Sequence, residues 1–422
     1  MVTASLTKTE YKTTKRDGRV VPFDITKIER AMEKAFAATG NPRVAEIPSM
    51  SERVVEILDA EGNYAPTVEQ IQDIVEQVLI ERNHVRTAKA YILYRAERSR
   101  VRESNTRLMK VYEDITYKDA SESDIKRENA NVDGDTAMGS MLKYGSEGAK
   151  QFNEMFVLNP DHSKAHTEGD IHIHDLDFYT LTTTCCQIDL TKLFTGGFCT
   201  GHGVLRAPKD ISTYTALACI AIQSNQNDQH GGQSVNNFER DMAPGVANTY
   251  SRRYRRLMGE AFELLGDGEA YGRVCAALDE RGLSPKLADD NGYLGEELCA
   301  FIEEGADEAL VKKAQEFSIR RAYEETDRAT FQAMEALVHN LNTMHSRAGA
   351  QTPFSSINYG LDTSPEARMV MKNLLLSTEQ GLGNGETPIF PIQIFRVKEG
   401  INYNPGDPNY DLFRLAIRCS AK

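Results

Sequence analysis

The stretch TTTCCQIDLTKLFTGGF, residues 182–198, carries a short β-type run, CQIDL, between hydroxyl-rich and glycine-rich flanks. Similar runs recur as IHIH (171–174) and IFPIQIF (389–395), and helical runs with glycine-rich turns separate them. This alternation predicts an α/β barrel or sheet with the functional site on its loops. If CQIDL is a strand, Cys185 and Cys186 point to opposite faces, one towards the interior and the other into outer packing.

The segment GDIHIHDLDF (169–178) precedes this stretch and carries two histidines two positions apart. In a strand, His172 and His174 share one face and the isoleucines take the other. Such a pair can ligate a metal ion, but the sequence shows no third ligand. We therefore expect hydrogen-bonded histidines near a strand end, and no metal site.

Two polar segments follow in the chain. QSNQNDQHGGQSVNNFERDMAPG (223–245) concentrates amides, one histidine and paired glycines. A disordered linker has this composition too, but apolar helical runs on both sides favour an ordered polar lining. HNLNTMHSRAGAQTPFSSINYG (339–360) ends a long helix in a loop of Arg, Gly, Ser and Pro, which suits binding of phosphate or ribose through backbone amides.

The first hundred residues predict a separate small unit. Residues 11–16 and 19–23 flank an Asp-Gly pair, which favours a tight hairpin turn with Lys15 and Arg16 at its tip. Many solvated turns carry such cations, so the basic tip alone is weak evidence for a ligand site. No GxxxxGK[ST] loop occurs, which disfavours an ordinary P-loop nucleotide hydrolase.

Three helices are predicted after the hairpin. Asp24 can cap the first, and Thr67 and Gln70 have capping-box spacing at the start of the second. The third contains three residues that we expect in the core: Tyr91, Ile92 and Tyr94. Residues 97–130 are highly charged with few apolar positions, which indicates a connecting helix and a domain boundary.

Composition narrows the class of protein. The 422 residues suggest about two to four domains, and neither a secretory signal nor a stretch of roughly 20 apolar residues is present, so we expect a cytoplasmic protein without a membrane partner. The seven cysteines form no CxxC pair. The net charge of -13 argues against nucleic acid. Residues 1–110 carry 19 Lys+Arg and 16 Asp+Glu, net +3, so a free polyanion suits that part better.

Two segments of the first hundred residues, KRDGRVVPFDITKI (15–28) and AKAYILYRAERSR (88–100), closely resemble the ends of an ATP-cone, the regulatory nucleotide-binding module of many ribonucleotide reductases. The resemblance implies a small α+β domain that binds ATP and dATP as allosteric effectors. It implies contacts to the nucleotide from six residues: Lys15, Arg16, Asp17, Gly18, Lys27 and Arg95. Lys27 and Arg95 are the weaker candidates.

The HIHDLD, CQIDL, HGGQS and RAGAQTPFSS segments, in this order, resemble the catalytic domain of the anaerobic (class III) ribonucleoside-triphosphate reductases. The resemblance implies an oxidoreductase with a ten-stranded α/β barrel of the ribonucleotide reductase and glycyl radical type. Cys185 matches the second active-site cysteine of that family. Further candidates for the substrate site are His174, Gly231, Gly232, Arg347, Ser355 and Ser356.

With this resemblance, the expected domains are an ATP-cone at residues 10–100, a linker helix at 101–130 and part of the catalytic barrel at 131–422. The match weakens over about 258–316, an acidic, helix-prone stretch that we expect to be a surface insertion. The family also implies a homodimer and an activase that uses S-adenosylmethionine and an iron-sulfur cluster to generate the glycyl radical.

The chain departs from the family pattern at its end, AIRCSAK (416–422). The thiyl cysteine, the zinc-binding cysteine cluster and the radical glycine are expected only beyond this point. Cys419 lies in an apparent helix and does not replace the thiyl cysteine. We therefore expect an incomplete barrel that is inactive alone, from a gene fragment, a shortened chain prepared for structural work or one part of a split protein.

Two other hypotheses about function remain open from the sequence. The chain is a non-catalytic nucleotide-binding regulatory or interaction protein if the barrel serves only for dimerisation. An aerobic or cobalamin-dependent reductase is the third reading, and the HIHDLD and RAGAQTPFSS segments favour the anaerobic branch over it.

Overall fold

The computed structural model of the chain describes residues 11–16, 18–40, 44–119, 133–179, 182–266, 268–289, 292–347 and 351–422, apart from the side chains of residues 44 and 103–106. Asp17, the end of the expected linker helix and residues 348–350 lie outside the described residues. The chain divides into two compact units. The first comprises the chain up to Val111 with Glu154–Lys164, and the second comprises Tyr112–Asn153 and Ala165–Lys422.

The first unit starts with the predicted hairpin, in which β1 (Lys12–Thr14) and β2 (Val20–Pro22) pair antiparallel. Gly18 has a φ of +79°, a conformation that costs glycine little because it has no Cβ atom. Its N–H donates to the carbonyl of Lys15 at 2.9 Å, which closes the turn. Lys15 and Arg16 therefore lie at the hairpin tip.

Four helices follow the hairpin, one more than the sequence predicted. They are α1 (Ile25–Ala38), α2 (Ile47–Ala60), α3 (Val68–Glu81) and α4 (Val85–Tyr117). The missed helix is α2, although its signal is present in the sequence. Pro48 lies in its first turn, and Met50, Val54 and Leu58 are buried at helical spacing.

The predicted helix starts are confirmed. The Asp24 carboxylate accepts a hydrogen bond from the Thr26 N–H at 3.1 Å and caps α1. At the start of α3, the Thr67 hydroxyl accepts from the Gln70 N–H at 3.2 Å, and the Gln70 side chain accepts from the Thr67 N–H at 2.9 Å. Buried apolar side chains from all four helices form one core.

The prediction for the helix that contains Tyr91 was partly wrong. Tyr91 is buried, whereas Ile92 is 40% and Tyr94 is 58% exposed. With 3.6 residues per turn, these three positions point to different sides of α4, and only one side packs on the core. The expected third helix and the start of the linker helix are a single helix, since α4 continues to Tyr117.

The second unit is built on parallel strands. Its strands are β3 (Cys186–Ile188), β4 (Phe198–Cys199), β5 (Val204–Leu205), β6 (Gln233–Val235), β7 (Ser355–Tyr359) and β8 (Ile392–Phe395). Four of them form a parallel sheet in the order β3-β6-β7-β8, and β4 with β5 forms a separate antiparallel pair. The expected α/β class is confirmed. The ten-stranded barrel remains a prediction, because the described residues contribute a sheet of four strands.

Ten α-helices follow α4 in the described part of the chain. In chain order they are α5 (Ala137–Phe152), α6 (Pro160–Glu168), α7 (Leu190–Gly196), α8 (Ile211–Asp228), α9 (Phe238–Leu264), α10 (Gly268–Glu280), α11 (Tyr293–Glu303), α12 (Glu308–Thr343), α13 (Pro365–Gln380) and α14 (Tyr410–Ala421). The main core joins α8, α9, α12 and α13 to the sheet through residues such as Val235 and Ile357, which are register partners and fully buried. Among the described residues, no helix combines the length and apolarity needed to cross a membrane.

The acidic stretch expected as an insertion is helical. It runs from the end of α9 through α10 and α11 into α12, and its apolar side chains form a cluster separate from the main core. Within this cluster the buried carboxylate of Glu297 accepts hydrogen bonds from the hydroxyls of Tyr254 at 2.6 Å and Tyr293 at 3.0 Å. The prediction that this stretch is an insertion relative to the family remains a prediction.

Candidate functional site

A cavity of about 510 Å³ lies at the amino-terminal ends of the four parallel strands. Its lining residues are Cys185, Cys186, Gln187, Gly232, Gln233, Ser234, Phe354, Ser355, Ser356 and Ile392. The volume falls within the range of small-molecule sites. Most of the lining surface is apolar, and the thiol, amide and hydroxyl side chains among the lining residues add neutral hydrogen-bonding groups and sulfur.

Both adjacent cysteines contribute to the lining of this cavity, and β3 begins only at Cys186, so Cys185 lies before the strand. The expectation that their side chains face opposite sides remains a prediction. The thiol of Cys185 is exposed. Cys186 is half-buried, and its sulfur accepts a hydrogen bond from the Asn225 amide at 2.9 Å. Cys185 is therefore the more accessible of the two thiols.

Gly231 allows the chain to approach Cys185 closely. A Cβ atom at this position would lie 1.9 Å from the carbonyl oxygen of Thr184 and 2.7 Å from the sulfur of Cys185. At Gly232, by contrast, a Cβ atom would meet nothing within 4 Å. The first glycine of the HGG segment is therefore required by packing, and the second lines the cavity.

The amide-rich segment is ordered, as predicted. The side chain of Gln233, on β6, donates to the carbonyl of Ile222 at 2.8 Å and to the Gln226 side chain at 3.0 Å. It accepts from the Asn225 amide at 2.8 Å. These bonds tie the end of α8 to the sheet beneath the cavity.

The two predicted serines line the cavity, whereas Arg347 does not. Ser355 is buried and donates to the carbonyl of Pro353 at 3.2 Å; the half-buried Ser356 lies one position along β7. The guanidinium of Arg347 donates to the backbone carbonyls of Gln226 and Gln229. Burial lowers the pKa of Arg347. Arg347 thus fastens its loop to the end of α8 instead of facing the cavity.

The HIHD segment is a loop instead of the predicted strand. Asp175 has a φ of +50°, and a short 3-10 turn follows at Leu176–Phe178. His174 has a largely exposed side chain, 82%, and lies outside the cavity lining. Its Nδ1 is 3.3 Å from the Nε2 of His172, as expected for paired histidines. Over the described residues, no three His, Cys, Asp or Glu side chains converge as metal ligands.

His230 is a functional candidate that the sequence analysis did not select. Its side chain is 4% exposed, its ring stacks on Phe178 with centroids 4.4 Å apart, and its Nδ1 lies 3.2 Å from the Thr182 hydroxyl. Its Nε2 is 3.5 Å from a carboxylate oxygen of Asp175. The HGG sequence was the available signal, since the histidine directly precedes the glycine that contacts Cys185.

A second cavity, of about 340 Å³, lies between the start of α8 and helices α9 and α12. Three arginines of α9 line it, and each is paired. Arg252 lies 3.3 Å from Asp210, while Arg253 and Arg256 lie 3.0 Å and 2.7 Å from Glu325. No local sequence pattern predicts this cavity, because its lining residues are far apart along the chain.

In the first unit, the predicted cations lie near acidic side chains. The Arg16 Nε lies 2.5 Å from the carboxylate of Glu69, and the Lys27 ammonium lies 3.7 Å from Asp24. Among the described residues, Lys15 has no ion-pair partner. Partial burial raises the pKa of the Glu69 carboxyl, but the hydrogen bond from Arg16, a backbone hydrogen bond and the charges of Arg16 and Arg95 together lower it by more, so the net direction is downward.

Arg95 joins α4 to α3. Its guanidinium donates to Asp73 at 2.5 Å and to Glu76 at 2.9 Å, and more distantly to the backbone carbonyl of Glu69 at 3.4 Å. The structure therefore brings Arg16 and Arg95 to the same helix, α3, on whose carboxylates both are engaged.

Comparisons with known protein families match two separate parts of the chain. Residues 11–100 match the ATP cone domain family, and residues 128–422 match the family described as anaerobic ribonucleoside-triphosphate reductase. The second match covers more than half of the chain.

Individual relatives carry the same description. The anaerobic ribonucleoside-triphosphate reductase of Salmonella typhimurium is 29% identical over 411 residues, which are 97% of this chain and 50% of the relative. That of Escherichia coli is 28% identical over the same shares. A vitamin B12-dependent ribonucleoside-diphosphate reductase of Thermoplasma acidophilum is 39% identical, but over only 24% of this chain and 13% of its own length.

The chain thus spans about half the length of the curated relatives that it matches along nearly its whole sequence. Two relatives with other descriptions, the vitamin B12-dependent reductase and a ribonucleoside-diphosphate reductase subunit alpha of Chlamydia pneumoniae, match about a quarter of it or less. On the match over residues 128–422, the chain belongs to the anaerobic ribonucleoside-triphosphate reductase family.

Proposed function

We propose that the chain supplies the substrate cavity and the effector site of an enzyme that reduces ribonucleoside triphosphates to 2′-deoxyribonucleoside triphosphates. The observation that carries this proposal is the exposed thiol of Cys185 in a cavity of about 510 Å³ rimmed by serine hydroxyls and backbone groups. A ribose bound there places its hydroxyls against neutral hydrogen-bonding groups and beside a thiol.

In the proposed reaction, Cys185 acts as a reductant. The glycyl radical of the family, and the thiyl radical derived from it, supply the removal of the 3′ hydrogen atom from the ribose. After the 2′ hydroxyl leaves as water, the Cys185 thiol gives a hydrogen atom to the substrate. The net reduction takes two electrons, both from an external reductant: one reduces the resulting 3′-keto group together with a proton, and the other, with a proton, restores the Cys185 thiol. The 3′ hydrogen atom is then returned to the ribose.

The surrounding residues position the thiol and the ribose. Gly231 permits the close approach of the HGG segment to Cys185, and Gly232, Ser355 and Ser356 line the space for the ribose. We assign Arg347 a positioning role, because its guanidinium is engaged with backbone carbonyls. Close, rigid placement of reacting groups is worth several orders of magnitude in rate.

The finer family features belong to this proposal as well. The thiyl cysteine, the radical glycine and a zinc site come from the part of the relatives' length that residues 1–422 do not span. An activase generates the radical, the enzyme is a homodimer, and the four parallel strands form part of a ten-stranded barrel. The domain limits at residues 10–100, 101–130 and 131–422 are proposed in the same sense, as is a cytoplasmic location.

For the first unit, we propose that ATP and dATP bind at the hairpin tip as opposing effectors. Lys15 and Arg16 contact the phosphates there, with Gly18 permitting close approach of the backbone. Asp17, Lys27 and Arg95 complete the proposed contacts. The support is a cationic tip in which Lys15 has no ion-pair partner among the described residues.

Selective protection of Cys185 tests the catalytic proposal. Alkylation by iodoacetamide is followed peptide by peptide with mass spectrometry, with and without CTP, which differs from the proposed effectors. CTP should slow alkylation of Cys185 several-fold. Cys199 and Cys299 are also exposed and serve as internal controls whose rates should not change. Equal rates at Cys185 with and without CTP would contradict the proposal.

Charge reversal tests the effector site. Replacing Lys15→Glu and Arg16→Glu together should weaken ATP and dATP binding by more than tenfold in isothermal titration, because two attractive contacts become repulsive. The same double reversal at Lys34 and Lys89, both exposed on other parts of the cone, is the matched control. Unchanged affinity in the Lys15 and Arg16 variant would exclude the hairpin tip as the site.

A further inference from the structure

The two cations at the hairpin tip differ in their surroundings. Lys15 has no ion-pair partner among the described residues, whereas the Arg16 guanidinium donates from Nε to the Glu69 carboxylate at 2.5 Å. It also reaches the Gln72 side chain at 3.5 Å. The side chains of Arg16 and Glu69 are 40% and 47% exposed, so water and dissolved anions can reach the pair.

The position of Glu69 is fixed by α3 and not by the hairpin. It follows the capping residue Thr67 by two positions, in the first helical turn. Its backbone carbonyl also accepts a hydrogen bond from Arg95 at 3.4 Å. A carboxylate in the first turn is stabilised by the helix dipole, so Glu69 has a favourable resting place without Arg16.

We propose that Glu69 is an intramolecular competitor that occupies Arg16 when no nucleotide is bound, and thereby sets the affinity of the cone for its effectors. This inference rests on the proposed effector site. A phosphate that binds Arg16 must displace the carboxylate or share the guanidinium with it. Two anions on one guanidinium repel each other, so in either case Glu69 weakens nucleotide binding.

The expected size of the effect is modest because the pair is exposed. Exposed ion pairs contribute little to stability, and salt screens them further. Removing the Glu69 charge should tighten nucleotide binding by about three- to tenfold at low ionic strength, and by less at high salt.

The test is isothermal titration of the whole chain with magnesium ATP and with dATP. Glu69→Gln should tighten binding of both by about three- to tenfold. The matched control is Glu81→Gln, which removes the same charge from the same helix 12 positions on, about 18 Å along its axis. This control should leave the affinity unchanged.

A second variant isolates the role of Arg16. In an Arg16→Ala background, Glu69→Gln should no longer tighten binding, because the competed group is absent. Unchanged or weaker binding in Glu69→Gln alone, or the same gain with and without Arg16, would overturn the competition. Circular dichroism establishes that each variant is folded.

Failure of the effector site itself has a different signature. If the unmodified chain binds neither ATP nor dATP, or if the Lys15→Glu and Arg16→Glu variant binds as well as the original, the proposed function of the cone fails. If the unmodified chain binds, the reversal abolishes binding and Glu69→Gln does not tighten it, only the role of Glu69 fails.

Discussion

The hairpin tip and the sheet cavity are built in contrasting ways. At the tip, the groups proposed to contact a nucleotide are charged, and a partner such as Glu69 lies on a helix of the same small unit. The cavity is lined by uncharged residues, among them thiols, amides and hydroxyls, from segments more than 200 residues apart, from Cys185 to Ile392. We therefore expect single side chains to set the affinity of the hairpin tip, and close backbone packing to restrict which residues fit around the cavity.

The largest effect should follow from breaking the support of the sheet. Glu239 is 1% exposed and accepts hydrogen bonds from the N–H groups of Gly360, Leu361 and Asp362 at 3.0, 3.0 and 3.3 Å. Glu239→Ala leaves these donors unpaired beside β7, at a cost of about 3 kcal/mol. Hydrogen exchange of the 353–362 peptides should become roughly 100-fold faster.

The control for this prediction lies on the same helix. Glu260 is exposed and pairs with Arg256 one turn away, so Glu260→Ala should change stability by less than about 0.5 kcal/mol. Peptides of residues 11–100 should keep their exchange rates in both variants, because the cone has its own core. Equal exchange at 353–362 in the two variants would contradict the support role of Glu239.

The next effect concerns the close approach at Cys185. Gly231→Ala places a Cβ atom against the Thr184 carbonyl and the Cys185 sulfur, and the backbone must move to accept it. We expect a loss of about 2 kcal/mol in urea unfolding and an altered alkylation rate of Cys185. Gly232→Ala meets open space and should be tolerated. If Gly231→Ala and Gly232→Ala have the same stability and the same Cys185 alkylation rate, close packing at Gly231 does not determine the shape of the cavity.

The same contrast explains what the sequence could predict. In the cone, the hairpin turn and the caps at Asp24 and Thr67 depend on residues a few positions apart, and these predictions are confirmed. The exposure of Tyr94 was mispredicted, because which side of α4 packs depends on helices elsewhere in the chain. Residues close together in the sequence determine where a turn or helix begins, whereas packing against distant residues determines which face of a helix is buried.

The cavity shows the limits of sequence reasoning for a site. The motifs containing Cys185, Gly232 and Ser355 were identified separately, and the structure brings them together. No residue pattern could show that Arg347 is engaged with carbonyls of α8 and its following residue, or that His174 lies outside the lining. The contacts of Arg347 join residues more than 100 positions apart.

A smaller effect is expected at the start of α3, the helix that holds Glu69. Thr67→Ala removes one half of the capping box and should cost about 1 kcal/mol. Exchange of the first-turn amides of α3 should rise by about fivefold. Ser49→Ala on α2 is the control, since that exposed hydroxyl donates only within its own turn. An undisturbed first turn in Thr67→Ala would show that Glu69 is placed by other contacts.

The smallest expected effect is a difference between the two units in how a carboxyl group responds to pH. In the cone, Arg16 favours the charged form of the Glu69 carboxyl. Asp241, beside α7 in the second unit, shows the opposite: burial raises its pKa from the usual 3.8 to about 6, despite a hydrogen bond from Thr191. A carboxyl whose pKa is raised on folding binds its proton more tightly in the folded state, so stability falls as pH rises from about 4 to 6.

Asp241→Asn keeps the shape of the side chain and cannot ionise, so this decline should be absent in the variant. Because the carboxyl is only half-buried, solvent reduces the expected difference to about 1 kcal/mol or less. Urea unfolding of both proteins at pH 4.5 and pH 7 measures it as a gap that widens towards pH 7 in favour of the variant. If the free energy of unfolding changes equally with pH in both proteins, burial does not raise the pKa of Asp241. The hairpin tip and the second unit would then not differ in how their carboxyl groups titrate.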